Sequence, residues 1–223
     1  MSAPSSKLSK AQTLTLTLEK MVHGGKTLAR RDAGSSAGQV VLVRGGLPGE
    51  QVRAQVGQMS GVLQGEVIEV LQAHPKRIPA SAHPGLDYSF MPYELQLDIK
   101  QQVVMDTLER SQRSAGAAAT TLKPIPEVMP APQQWHYRHG VQPAYLAEQG
   151  LGYRSSSSHN TQVLTHDPVA HKSINRVWKL FNDLPKGVRE VVFRCNAEAE
   201  VLACLVASGS SKHYLNMAHE LVR

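Results

Sequence analysis

Between Leu14 and Leu71 apolar and polar positions alternate with a period of two. Leu14, Leu16 and Leu18 interleave with Thr13, Thr15 and Thr17, and Val52, Ala54 and Val56 interleave with Gln51, Arg53 and Gln55. Strands with one buried and one wet face show this period. Five short strands are predicted, at 14–19, 27–31, 39–44, 51–58 and 62–71. Gly24-Gly25, the small-residue run Ala33 to Gly38, Gly45-Gly46 with Pro48-Gly49, and Gly61 mark their ends. Strands at this spacing with glycine at each corner predict a small closed or partly closed barrel.

Helical periodicity comes next. Pro92 and Glu94 open a predicted helix that runs to about Arg113, with Leu95, Ile99, Val103, Val104 and Leu108 as its apolar stripe and Arg110 and Arg113 at its C-terminal end. Residues 114–134 contain Pro124, Pro126, Pro130 and Pro132 and read as an extended linker. Beyond it lie a strand-like run from Val141 to Leu146 and a turn near Gly150. A helix from Asp167-Pro168 to Leu184 is predicted from Ile174, Val177, Trp178 and Phe181. Strands at 188–194 and 201–207 follow, and Ser210 or Ser211 would cap a last helix, Lys212 to Val222. The chain thus divides into a flexible tail (1–12), a five-stranded OB-like barrel (13–73), a connector and helix (74–113), the linker, and a partial α+β unit (135–223). The predicted fold class is mainly β and α+β.

Charge changes this picture. Residues 1–80 hold ten Lys or Arg against five acids, so five of the net +6 charges sit there. Lys26, Arg30, Arg31, Arg44, Lys76 and Arg77 make the barrel region basic. A basic OB-like barrel is a platform for a nucleic-acid backbone; the alternative is a basic surface that serves solubility alone. Residues 13–73 contain no Phe, Trp or Tyr, so RNA contacts there would rest on phosphate and shape, with base stacking supplied elsewhere.

Aromatics make up only 5% of the chain, which predicts aliphatic cores. No apolar run reaches the ~18 residues of a membrane span, and Met1 to Gln12 lacks the apolar segment of a secretory signal. The chain reads as cytoplasmic and away from membranes. Cys195 and Cys204 fall in predicted strands, where buried structural thiols are expected. His136 with His139, and His166 with His171, lack companion ligands at metal-binding spacing. The sequence holds no nucleophile elbow and no phosphate-cradling glycine loop.

The stretch TLTLEKMVHGGKTLARRDAGSSAGQVVLVRGGLPGEQVRAQV carries Glu19-Lys20 before Gly24-Gly25, the strand ending Val43-Arg44-Gly45, and Leu47-Pro48-Gly49-Glu50 leading to Val52. It resembles a TRAM domain, the RNA-binding barrel at the front of RNA uracil-C5 methyltransferases. The resemblance continues in Pro92-Tyr93-Glu94-Leu95-Gln96-Leu97-Asp98-Ile99-Lys100, which is similar to the family's Pro-Tyr-x-x-Gln-Leu-x-x-Lys helix opening. It extends to Trp135-His136-Tyr137-Arg138, Gly152-Tyr153-Arg154 and Ser158-His159, which resemble the start of the family's central domain.

The resemblance implies an RNA-binding protein acting on rRNA or tRNA. Many members hold an iron–sulfur centre on cysteines between barrel and helix, but Ser81 to Asp87 has none, so no such centre is predicted. The family's S-adenosylmethionine domain, with its glycine-rich loop and nucleophilic cysteine, has no counterpart here. The implied reading is a non-catalytic front portion or shortened homologue, with no catalytic residue and no cofactor unless a catalytic domain supplies S-adenosylmethionine. The implied RNA footprint is Lys26, Arg30, Arg31, Arg44, Lys76, Arg77, Arg138 and Arg154. Arg138 and Arg154 each adjoin a Tyr, which suits phosphate pairing and base stacking; alternatively Trp135, Tyr137 and Tyr153 are core anchors and the arginines are solvated. Two further readings stay open. One is the recognition part of an active methyltransferase whose catalytic domain lies on another or longer chain and docks on an unpaired strand edge. The other is a protein-interaction module.

Overall fold

A computed structural model of the chain describes residues 9–32, 37–59, 61–114, 126–155, 160–209 and 214. The chain forms two compact units, residues 1–80 with 87–130, and residues 81–86 with 131–223.

The first unit is a closed barrel. Its strands are β1 (Ser9–Val22), β2 (Lys26–Arg30), β3 (Val40–Arg44), β4 (Gln51–Met59) and β5 (Val62–Gln72). They pair in the order β1-β2-β3-β5-β4, and β4 returns to β1. All pairs are antiparallel except β3 with β5, where Val41 lies opposite Leu63 and Val43 opposite Gly65. β1 starts at Ser9, so the last part of the expected tail is strand. Its first half pairs with β4 and its second half with β2, and the register shifts between Leu18 and Lys20. A bulge at that point bends the strand, which lets one strand serve both partners. Alternation sends Leu16, Leu18, Ala29, Val41, Val43, Val52, Ala54 and Val56 into an aliphatic interior.

Beside the barrel runs α1 (Tyr93–Ser114). Leu95, Ile99 and Val103 pack with Met21, Leu47, Phe90 and Met91 in a second small core. Val104 and Leu108, expected in the apolar stripe, are exposed. The helix, about 33 Å long by its rise per residue, carries them past this cluster. Gln96 explains its place in the helix-opening motif: its side-chain amide donates to the carbonyls of Tyr88 and Met91 at 3.2 Å each, tying the preceding loop to the first turn.

The second unit holds an open sheet of six strands: β6 (Gly140–Val141), β7 (Ala144–Leu146), β8 (Gly150–Arg154), β9 (Thr161–Val163), β10 (Val188–Cys195) and β11 (Val201–Ala207). The order is β11-β10-β7-β8-β9, with β6 also on β10. Pro143 splits the expected 141–146 strand in two, because it has no N–H to donate; its carbonyl still accepts from Val191 N–H at 3.1 Å. A short helix, α2 (Lys172–Trp178), and a 3-10 turn (Lys179–Phe181) cover the sheet with Ile174, Trp178 and Phe181.

The expected helix from Asp167 to Leu184 is therefore shorter. Asp167 Oδ1 accepts the N–H groups of Val169 and Ala170, and this local turn competes with the helix until His171 caps it through Nδ1. The predicted helix 212–222, Ser158-His159 and most of the linker lie outside the described residues. No described helix is long and apolar enough to cross a membrane.

Candidate nucleic-acid interface

Lys26, Leu28 and Arg30 of β2 and Val40, Leu42 and Arg44 of β3 are the positions that alternate with buried ones, so they face outward. The register sets Lys26 directly opposite Arg44. Two cations thus share one outer ladder position, with Leu28 and Leu42 between them and Arg30. Like charges across a strand pair repel, and each finds a polar partner. Lys26 Nζ donates to Gln64 Oε1 at 2.5 Å, and Arg44 Nη1 lies 3.1 Å from Asp87 Oδ1. Arg30 Nε is 3.4 Å from Glu19 Oε1, and its Nη1 donates to Gly38 O. Arg31 stands at the end of the same strand, its backbone paired with Gln39 and Gly38. Among the described residues neither Arg31 nor the exposed Lys76 makes an ion pair. The ion pairs of Arg30 and Arg44 are exposed, and pairs this exposed hold their partners weakly.

Arg77 is placed differently. Glu50 is fully buried, and its carboxylate accepts from Leu47 N–H at 2.8 Å, His74 N–H at 3.1 Å and Arg77 Nη1 at 2.6 Å. Arg77 Nη2 donates to Gly45 O, and the guanidinium sits 5.0 Å from the Phe90 ring centre. This fork holds the segment after β5 against the β3–β4 turn. Gly49, at φ +84°, makes that turn, and a Cβ on Gly46 would stand 2.2 Å from Leu18 Cδ1. The Leu47-Pro48-Gly49-Glu50 signature is thus a folding device, and Arg77 belongs to it.

In the second unit the two remaining arginines separate. Arg154 is exposed, with Nη2 4.0 Å from Glu190 Oε1. Arg138 is half-buried; its backbone bridges to Ala170, and its guanidinium lies 5.8 Å from the Tyr137 ring centre. Tyr153 is a core anchor. It packs on His83 and Trp178 and donates to Asp167 Oδ2 at 2.6 Å. Burial and this bond push its phenol well above the usual tyrosine value. Trp135 and Tyr137, the other anchors considered, are instead exposed, at 47% and 46%.

Asp167 is buried, which by itself raises a carboxyl pKa, but contacts from His83, Tyr153 and the Val169 N–H outweigh burial and hold it below its usual range. His83 Nδ1 accepts from Gly85 N–H, so its proton sits on Nε2, 3.5 Å from Asp167 Oδ1. This cluster anchors residues 81–86 within the second unit. The residues here do not fit a four-thiolate iron–sulfur cluster. Ser81, His83 and Asp87 offer no sulfur. Cys195 is buried, with Sγ 3.3 Å from His171 Nδ1, whereas Cys204 is exposed on the opposite face of the hairpin. The expectation of two buried thiols therefore holds for Cys195 alone. Among the described residues no group of three or more His, Cys, Asp or Glu could hold a metal ion.

Comparison with known proteins gives this face a context. No protein-family model matches the chain. An uncharacterized RNA methyltransferase of Halalkalibacterium halodurans is 27% identical over 200 residues, covering 85% of this chain and 41% of that protein. The 23S rRNA (uracil(1939)-C(5))-methyltransferase RlmD of Methylococcus capsulatus is 26% identical over 196 residues, 80% of this chain and 40% of the enzyme. These proteins similar to the chain are named as RNA methyltransferases. The RlmD of Xanthomonas oryzae pv. oryzae is 38% identical over 94 residues, 40% of this chain and 21% of that enzyme. The chain therefore spans about two fifths of the length of the RNA methyltransferases that match most of it, and its closed five-stranded barrel fits a TRAM-like domain.

Proposed function

We propose that this chain is the RNA-recognition portion of an RNA uracil-C5 methyltransferase, acting on rRNA or tRNA through the outer β2–β3 face of its barrel. The observation that carries the reading is the ladder position shared by Lys26 and Arg44, continued by Arg30 along β2, with Arg31 just past the strand's end. Relatives named for methylation of 23S rRNA uracil support RNA as the ligand. Lys76, Arg138 and Arg154 extend the footprint. Arg77 contributes by holding the turn beneath it. Methyl transfer is assigned to none of the residues in this chain, and S-adenosylmethionine to no site on it. A thiol nucleophile needs an exposed, electropositive setting. Cys195 is buried, and Cys204, though exposed, stands on β11 among Val201, Leu202, Ala203 and Leu205.

The test is a titration of the chain into structured rRNA fragments across a range of salt. Log affinity should fall linearly with log salt, by roughly 0.9 per phosphate contact in a duplex. The Arg30→Glu, Arg31→Glu double variant should bind more weakly and with a shallower slope. Binding with no salt dependence, or unchanged in the double variant, would remove the barrel face from the account.

A further inference from the structure

The chain has eleven aromatic residues, and only two of them are exposed: Trp135 and Tyr137. The others serve the cores or sit half-buried beside them. The backbone that carries the exposed pair is fixed by hydrogen bonds at His136 and Arg138. His136, between them, has φ +60°, a conformation a bulky L-residue adopts at a cost. That twist turns the His136 ring inward, where Nδ1 lies 3.0 Å from Ala170 O, and its N–H donates to Pro168 O. Arg138 is fixed one residue later, its N–H donating to Val169 O and its carbonyl accepting from His171 N–H. The chain is thus pinned at His136 and Arg138, while the side chains on either side of His136 meet water. Rings that merely filled space would be covered by the unit's core, as Trp178 and Phe193 are.

Resting on the RNA-binding reading, we infer that Trp135 and Tyr137 form a stacking platform for unpaired RNA bases, with Arg138 beside it for the flanking phosphate. Flat, exposed indole and phenol rings suit the faces of any base, and the guanidinium already lying by Tyr137 supplies the complementary charge. The platform also supplies what the barrel lacks. Residues 13–73 have no Phe, Trp or Tyr, so they read chiefly backbone and shape, whereas a splayed-out base stacks best on a large ring. Platform and barrel face then divide the work: the barrel grips phosphates of any strand, and the platform selects single-stranded stretches.

The chain's two tryptophans make this measurable, since Trp178 is fully buried and Trp135 is not. The full chain is titrated with a short oligouridine and with the same strand in duplex, following intrinsic fluorescence. Oligouridine should quench the solvent-exposed Trp135 emission and leave the Trp178 emission in place; the duplex should bind with little quenching. Trp135→Ala and Tyr137→Ala should each weaken oligouridine binding by about five- to fifty-fold, within the range of base–aromatic stacking, and leave duplex affinity and the salt slope unchanged. Retained Trp178 emission certifies the fold of both variants. Oligouridine binding that is unquenched, or unchanged in both variants, overturns the platform while leaving the RNA reading intact. Equal loss of duplex and single-strand binding also overturns it. Failure of every RNA to bind at low salt sinks the RNA reading and the platform with it.

Discussion

The two units solve the same problem in opposite ways. The barrel closes its sheet on itself, so its strands have no free edge, and its small hydrophobic core is built of Leu, Val and Ala, with the buried Thr27 hydroxyl bonded to Gly46 O. The second unit leaves its sheet open and covers one face with a seven-residue helix. So short a cover fills that volume with large side chains, Trp178 from the helix and Phe181 from the 3-10 turn, meeting Phe193 and Tyr145 from the sheet. Each unit also buries one carboxylate that ties a loop down. Glu50 is answered by the charged Arg77, whereas Asp167 is answered by neutral donors, the Tyr153 hydroxyl and two backbone N–H groups, with the His83 ring beside it. Closure therefore frees the barrel's outside for charge, while the open sheet spends its aromatics on its own core.

That contrast can be broken at four points. Trp178→Ala removes the centre of the aromatic cluster and should cost about 3–5 kcal/mol. Chemical denaturation followed by circular dichroism should show the second unit melting early and the barrel unchanged; a common shift of both transitions would mean the units do not unfold separately. Glu50→Ala strands Arg77 and two backbone N–H groups and should cost about 3 kcal/mol, at the low end for a buried pair because Arg77 keeps some water. The loss should fall on the barrel and leave the Trp178 emission transition where it was.

Asp167 sharpens the contrast through pH. Its folded-state pKa is depressed, so its contribution is present above the unfolded value of about 4 and is lost as pH falls through the lower folded value. Denaturation curves read by tryptophan emission should show the second unit weakening below about pH 4, and Asp167→Asn should flatten that dependence. The smallest effect is expected on the barrel's outside. Arg53 and Glu69 pair at 2.6 Å, but both are about half exposed, so Arg53→Ala should cost about 0.2–1 kcal/mol and less at high salt. A larger value would show that the outer charges do more for folding than the aliphatic interior requires.

Much of this architecture was legible in the sequence, and the rest was hidden for physical reasons. Period-two alternation located all five barrel strands, four of them to within one residue at each end and the first five residues late at its start, because burial on one face dictates it. It carried no information on partners, so the parallel pairing of β3 with β5 could not be read from it. The apolar positions Ile174, Val177, Trp178 and Phe181 predicted a longer helix than forms. A stripe records which residues face the core, but not that Asp167 turns the chain locally before His171. In the barrel region, charge pointed to Lys26, Arg30, Arg31, Arg44, Lys76 and Arg77 alike, but Arg77 also holds the β3–β4 turn. Only its bonds to the buried Glu50 distinguish it. For Trp135 and Tyr137 the sequence left base stacking and core packing both open, and the left-handed backbone at His136 between them leaves no mark in it.

The pairing order of the barrel also has a consequence at the ribosome. β1, β2 and β3 are consecutive neighbours and can associate as soon as Arg44 has emerged. Their two open flanks, the first half of β1 and the far side of β3, wait for β4 and for β5, which ends at Gln72. At typical synthesis rates of 5–20 residues per second that interval lasts roughly one to six seconds. Through that time the nascent meander exposes two strand edges beside Leu16, Val41 and Val43, the kind of surface chaperones bind and neighbouring chains aggregate on.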